Sequence, residues 1–476
     1  EQGKTEARIR QLKHMLENAH IGNPPAGESG FVGLGMLVTV DIAGDEMKFL
    51  LGSREIASGD VDVYSEKSPL GAAVLGAKIG DTVTYTAPNG REISVAVLEA
   101  KRIGWGASGR NGGELIRGIG HDISQFKNVI GTEGVNAITQ MGFEAVEIVK
   151  QRVEQHQIQC DLQMGYCDLA VKPRHMHELE QEFNDLKQAG YQHDIRLLDK
   201  DHTSEVIQSD FYQGALIDMG SGHLHPLNLV LGEARVAREM GVHIFENSPA
   251  EHIYKGDKPV VKTAKGEVNC RFLVLAGNAY IGHKLNDYVG GKVLPAGSYL
   301  LATEPLTPEQ CQAIIPQNMA FADMRVALDY FHLSADNRLL FGGLCTYSGK
   351  DPRNIEAALR PNLEHVFPQL KGVKIDYQWG GMIGIGANRM PQIGRLPDAK
   401  NIFYAQAYSG HGVNATHMAA KLIAEAITEQ AERFDIFDKI KHMTFPGGPH
   451  FRPARPRSPT AKAHRGSPRL HSYPPR

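Results

Sequence analysis

The sequence predicts a multidomain chain in which a small α+β module precedes a larger body of α/β and α+β type, and three observations predict it. Its 476 residues leave room for about three domains of ordinary size. Apolar residues are 42% and charged residues 22%, a globular balance that excludes a fibrous repeat or wholesale disorder. The texture then changes near residue 100, from short β-type runs to long helical stretches alternating with strands.

Residues 1–22 carry apolar side chains at Ile9, Leu12, Leu16 and Ala19, the stripe of one amphipathic helix. A helix this short is marginal alone and needs a partner. Between Gly30 and Val97 the pattern gives strands at Met36–Val40, Lys48–Leu51, Val61–Tyr64, Thr82–Thr86 and Ile93–Leu98. Turns at 43–45, 58–60 and 88–90 separate some of them. One short helix falls between Pro69 and Lys78. After residue 100, helices are predicted at Thr132–Ile158, Pro226–Met240 and His411–Thr428. Strands are predicted at Val242–Glu246, Phe272–Ala276, Ser298–Thr303, Arg338–Gly342 and Asn401–Ala405.

The run Ser68-Pro69-Leu70-Gly71-Ala72-Ala73-Val74-Leu75-Gly76, followed by Gly80-Asp81, resembles the C-terminal domain of Gre-type transcript elongation factors. The preceding Glu6-Ala7-Arg8-Ile9 and Leu12 resemble the end of that family's coiled coil. The resemblance covers residues 1 to about 98. It implies an FKBP-like domain over 23–98 that docks on RNA polymerase, with 1–22 a remnant of the coiled coil. Without the family's acidic coiled-coil tip, transcript cleavage is not expected. The start at Glu1 in place of Met is expected of a truncated or processed N-terminus.

Gly104-Trp105-Gly106-Ala107-Ser108-Gly109 satisfies G-x-G-x-x-G, yet Glu99–Ile103 separate it from the strand and Arg110-Asn111-Gly112-Gly113 is a poor helix. It is therefore not read as a Rossmann fingerprint. Val95–Glu99 instead reads as the second strand of a dinucleotide fold, ending in the acid that accepts ribose hydroxyls. The segment Val97–Gly113 is similar to the D-amino-acid-oxidase superfamily of FAD enzymes, and within it to the γ-glutamylputrescine oxidase branch. Further segments follow in family order over 97–445: Gly222–Asn228, Phe272–Tyr280, Thr303–Leu306, Arg338–Gly343, Trp379–Gly381, Asn388–Pro391 and Tyr408–Asn414.

This resemblance implies an FAD-binding Rossmann-like domain whose first βαβ unit is missing, interleaved with an antiparallel-sheet substrate domain over residues 99–446. It also implies hydride transfer from the carbon beside a neutral amine to FAD, reoxidation by O₂ to H₂O₂, and hydrolysis of the imine. The FAD-binding residues implied are Glu99, Lys101, Ala107, Ser108, Arg110, Asn111, Gly112, Gly113, Gly277, Gly410, His411, Gly412 and Val413. The last four form a glycine-rich turn into a helix, which aims free amides and a positive dipole end at the flavin. His225, Tyr330 and Arg389 are candidates for the substrate side, each equally able to be a structural hydrogen-bonding residue. His223 and His225 have no evident third ligand, so no metal is expected. Cys345 reads as a buried thiol rather than a flavin link. One strand, Glu92–Glu99, is claimed by both domains.

Residues 447–476 hold seven Arg or Lys and no acid. Removing that +7 from the total of −3 leaves −10 on residues 1–446, an acidic body that does not suit a nucleic-acid-coating surface. The Pro/Arg-rich tail is expected to be disordered, a solvated extension more than a nucleic-acid contact. Five cysteines without a Cys-x-x-Cys pair fit a reducing compartment. No apolar run is long enough for a membrane helix, so no membrane association and a cytoplasmic location are expected. Two functions compete: an amine oxidase fused to a polymerase-binding module, or a non-enzymatic polymerase-binding protein with a degenerate oxidase passenger.

Overall fold

The computed structural model describes residues 31–42, 45–51, 62–64, 69–78, 94–347, 351–428 and 431–445. The helix expected over 1–22, the strand at 82–86 and the tail lie outside them. By its contacts the chain divides into two units, one of residues 1–97 with 235–245 and one of 98–234 with 246–476.

In the first unit, Leu37–Ile42 (β1) and Asp45–Leu51 (β2) form an antiparallel hairpin, and Asp62–Tyr64 (β3) adds parallel to β2. Pro69–Val74 (α1) is the short helix expected there, with proline at its first position. Ala96–Leu98 (β4) pairs with His243–Phe245 (β9), and the amide of His243 donates to Val95 O at 2.9 Å. The strand claimed by both domains therefore lies beside β9 and outside the β1–β3 sheet.

The second unit is built on a nine-stranded mixed sheet. Its members are Glu114–Leu115 (β5), Gln163–Ala170 (β6), Ile195–Leu198 (β7), Gly214–His223 (β8), Leu294–Thr303 (β14), Ala320–Asp323 (β15), Tyr330–Leu333 (β16), Leu339–Thr346 (β17) and Ile375–Ile385 (β18). The order is β18-β14-β17-β16-β15-β6-β8-β5, with β7 also on β8. All these pairings are antiparallel except β15 with β6. Strand alternation sorts the side chains of β16: Phe331 stacks between Phe321 and Phe341 in the core at 5.3 and 5.6 Å, while Tyr330 and His332 take the opposite face. Helix Ile355–Val366 covers the core face through Leu359, Leu363 and Val366.

Beside it, Leu273–Leu275 (β13), Gln392–Leu396 (β19) and Ala399–Gln406 (β20) form a three-stranded sheet in the order β13-β20-β19, with β13 parallel to β20. Strand β13 is an edge, and Phe272 and Val274 stand 41% exposed there. Lys127–Gln155 (α3) and Gly412–Ile427 (α9) pack on this sheet through Ile138, Met141, Met418 and Leu422. Gly131 interrupts α3 at φ 74°, so the regular helix starts where the sequence pattern placed it. Pro173–Gln188 (α4), with proline at its start, and Pro226–Glu239 (α5) complete the helices used below. Among the described residues, no helix is long and apolar enough to cross a membrane.

Candidate functional site

Loop 99–113 leaves β4 and folds back on itself. The Glu99 carboxylate accepts the Lys101 amide at 2.7 Å, and Glu246 accepts the Ile103 amide at 2.7 Å. Gly104 has φ +74°, and a Cβ there would meet Leu227 at 2.7 Å, so only glycine fits this turn. Ala107–Arg110 forms a helix of four residues, too short for a Rossmann first helix. Asn111 then locks the end: its amide nitrogen donates to Ala107 O (2.9 Å) and Ser108 O (3.0 Å), and its oxygen accepts from Gly113 N (2.8 Å). The loop sits against β18, where Trp379 donates to Arg110 O at 3.0 Å. Arg110 also lies over the Trp105 ring at 4.9 Å.

A second loop, 407–413, descends into α9. Ala407, Ser409 and Gly410 have φ of 61°, 53° and 103°, left-handed values that non-glycine residues adopt only at a cost of about 1–3 kcal/mol each. Asn278 holds it by accepting the Ala407 amide at 2.8 Å. Two residues further along, Tyr280 contacts Gly106 and Trp105, so segment 277–280 ties the two loops together. At the start of α9, His411 caps no amide with its side chain. Its Nδ1 is buried without a partner, and burial then lowers its pKa to about 3. Cβ positions built on Gly410 and Gly412 meet nothing within 4 Å. An open, glycine-lined helix start with an orphaned ring nitrogen fits the flavin end of FAD.

The Gly112-Gly113 turn delivers a residue that sequence reasoning missed. Glu114 follows it on β5, opposite His223, and its Oε1 is buried with no hydrogen-bond partner. Burial raises its carboxyl from 4.5 to about 7, against the opposing pull of its own amide. Tyr330 is its neighbour: a Cβ on Gly112 would lie 2.5 Å from Glu114 Oε2 and 2.6 Å from the Tyr330 ring. The Tyr330 hydroxyl is 3.2 Å from Ser298 Oγ, and burial raises its pKa. His332 contacts Gly112 O at 2.7 Å.

The other two candidates fall elsewhere. His225 is exposed and accepts the Asn228 amide at 3.2 Å, which makes it a cap of α5. Arg389 is exposed at φ 56° and lies near enough to His121 to help depress its pKa, after burial. His121 packs edge-on to His411 at 4.5 Å, which puts Arg389 near the 407–413 loop. Lys101 and Ser108 are exposed, while Gly277 and Val413 are backbone and packing positions on their loops.

Behind this site lies a buried charge cluster. Arg117, 6% exposed, meets Asp218 at 2.8 Å, Asp168 at 3.3 Å and Glu182 at 2.5 Å. Asp218 also accepts from Ser221 (2.5 Å) and Tyr191 (2.8 Å), so its charge is fully hydrogen-bonded.

Residues 80–426 match the family described as FAD dependent oxidoreductase, and residues 27–102 match Transcription elongation factor, GreA/GreB, C-term. Gamma-glutamylputrescine oxidoreductase of Escherichia coli is 42% identical over 354 residues, 74% of this chain and 82% of the relative. Probable oxidoreductase OrdL of Haemophilus influenzae is 40% identical over 359 residues, with 74% and 82% covered. Transcription elongation factor GreA of Streptomyces coelicolor is 51% identical over 104 residues, 21% of this chain, and the chain spans 62% of that factor's length. Among solved structures, glycine oxidase from Geobacillus kaustophilus aligns with TM-score 0.61 at 18% identity, covering 74% of this chain and 92% of that one. L-proline dehydrogenase from P. horikoshii aligns with TM-score 0.59 at 20% identity, covering 73% and 90%. These likenesses show the fold. The chain belongs to the FAD dependent oxidoreductase family, with FAD as its cofactor and a GreA/GreB C-terminal-like segment fused ahead of the oxidoreductase domain.

Proposed function

We propose that this chain oxidises the C–N bond of a primary amine borne by a γ-glutamylated diamine of the putrescine type. The observation that carries the substrate class is the 42% identity to gamma-glutamylputrescine oxidoreductase over 82% of that enzyme. It favours the enzyme over a degenerate passenger. When bound, FAD supplies the acceptor for hydride from the carbon beside the amine, with O₂ as the terminal oxidant.

The residues of this chain do the positioning. Glu99, Lys101, the Ala107–Gly113 loop, Gly277 and the Gly410–Val413 helix start would hold the FAD. Glu114 accepts the proton of the substrate ammonium, since only the neutral amine loses hydride readily. Tyr330 orients that amine through its hydroxyl. His225 and Arg389 act outside this pair, His225 as a helix cap and Arg389 as a cation near the 407–413 loop. The likeness of residues 27–102 to the GreA/GreB C-terminal segment supports an FKBP-like module over 23–98 that docks on RNA polymerase, with the cytoplasm as the site of action.

The test is peroxide release from γ-glutamylputrescine by the full chain with FAD added. Peroxide above the rate of a Glu114→Gln, Tyr330→Phe double variant supports the reading, and its absence at every amine concentration overturns it. Retention of the chain on core RNA polymerase tests the docking half separately.

A further inference from the structure

A cavity of about 400 Å³ opens between the β19–β20 hairpin and the helix Glu432–Asp438 with the turn after it. Its lining is strongly cationic: Lys292, Arg395, Lys400 and Lys441 face the single carboxylate of Asp438. That balance runs against the rest of the chain, whose residues outside the tail are net acidic.

Lys292 is 7% exposed, and no carboxylate among the described residues pairs with it; its ammonium rests over the Tyr288 ring at 3.7 Å. An ammonium withdrawn from water without a counter-charge favours an anion beside it. His442 is 9% exposed, with Nδ1 3.2 Å from the Asn388 side-chain nitrogen and 3.3 Å from its oxygen, and Nε2 buried without a partner. In the tautomer that carries the proton on Nε2, that nitrogen is a donor whose acceptor a bound anion would supply. Asp438 Oδ1 accepts the Arg395 amide at 3.0 Å, and this one carboxylate is outnumbered by the four cations of the lining. Arg395 lies over Phe403 and Phe434 at 5.5 and 4.7 Å and is 3.5 Å from the Asp435 carboxylate, which together fix its guanidinium in place.

We propose that this cavity binds a small multivalent oxyanion, a phosphate ester or a dicarboxylate, whose oxygens supply the counter-charge of Lys292 and the acceptor of His442. Charge-assisted hydrogen bonds from Arg395 and His442 fix its orientation, while exposed Lys400 and Lys441 draw it in. The site is separate from the amine site: its residues share none of the loops 99–113 or 407–413.

Calorimetric titration of the full chain, saturated with FAD, with inorganic pyrophosphate and with succinate tests this. The expected result is saturable one-site binding of at least one of the two, and the stronger one identifies the source chemistry. Lys441→Glu and Lys400→Glu each weaken it about tenfold, while flavin content and amine-oxidation kinetics stay unchanged. No saturable binding of either probe at about 10 mM overturns the proposal. So does binding that survives both charge reversals, because it then belongs to another basic segment.

Discussion

Replacing Glu114 with Gln removes one ionisable proton from a half-buried carboxyl and leaves its shape. In the folded chain the carboxyl titrates at about 7 because burial disfavours its anion, against 4.5 when free. Between those values the native state keeps a proton that the unfolded state has released, so stability falls as pH rises. The contribution is fully present below about 4.5 and gone above about 7. Carried through, the displacement amounts to at most about 3 kcal/mol, an upper bound because the residue is not wholly shielded. Chemical denaturation of wild type and variant at pH 5 and pH 8 reads it directly. The variant's relative stability should rise by about 2–3 kcal/mol across that interval. A wild-type-to-variant difference independent of pH refutes the burial argument. In kinetics, the same change should lower kcat/KM for the amine by about a hundredfold and abolish its inflection near neutrality.

Arg117→Met strips the counter-charge from Asp218 and Asp168 in the interior and should cost about 3–5 kcal/mol in urea denaturation; a loss under about 1 kcal/mol would show that the carboxylates are hydrated. Gly113→Ala places a Cβ 2.0 Å from Leu224 O at φ +88°, so it should destabilise by more than about 2 kcal/mol and weaken FAD binding in a fluorescence titration. Tyr330→Phe removes only the hydroxyl beside Ser298; stability should change by about 1 kcal/mol or less while kcat/KM drops about tenfold or more. Unchanged kinetics would assign Tyr330 to packing alone.

The long elements were legible because periodicity survives any tertiary context: Pro226–Glu239 and Gly412–Ile427 fall within a residue of their expected ends. Helix Pro173–Gln188 was missed although Met176, Leu179, Phe183 and Leu186 lie on one stripe, because His and Glu between them mask the apolar signal. Strand β18 reads poorly for a different reason: its glycines at 380, 381 and 384 exist to let Tyr299, Arg110 and Asn278 approach, and such closeness has no local signature. The glycine turns of the site could be read from composition, since their geometry is set by the backbone. Glu114 and Arg117 could not be ranked from sequence, because what marks them is burial, and burial is decided by β8, β6 and α4 at positions far along the chain. Two charged residues on an otherwise apolar Gly113–Ile119 run are the one signal that could have found them. His225 misled for the converse reason: a motif histidine beside a helix start serves equally as a cap.

Anaerobic addition of γ-glutamylputrescine to the FAD-loaded chain, followed by its visible spectrum, tests the central claim most directly. The account predicts that the flavin absorption band bleaches with the amine and returns on admitting O₂, with one peroxide formed for each amine oxidised. A chain that takes up no FAD, or a bound flavin whose band stays unbleached at saturating amine, would contradict it.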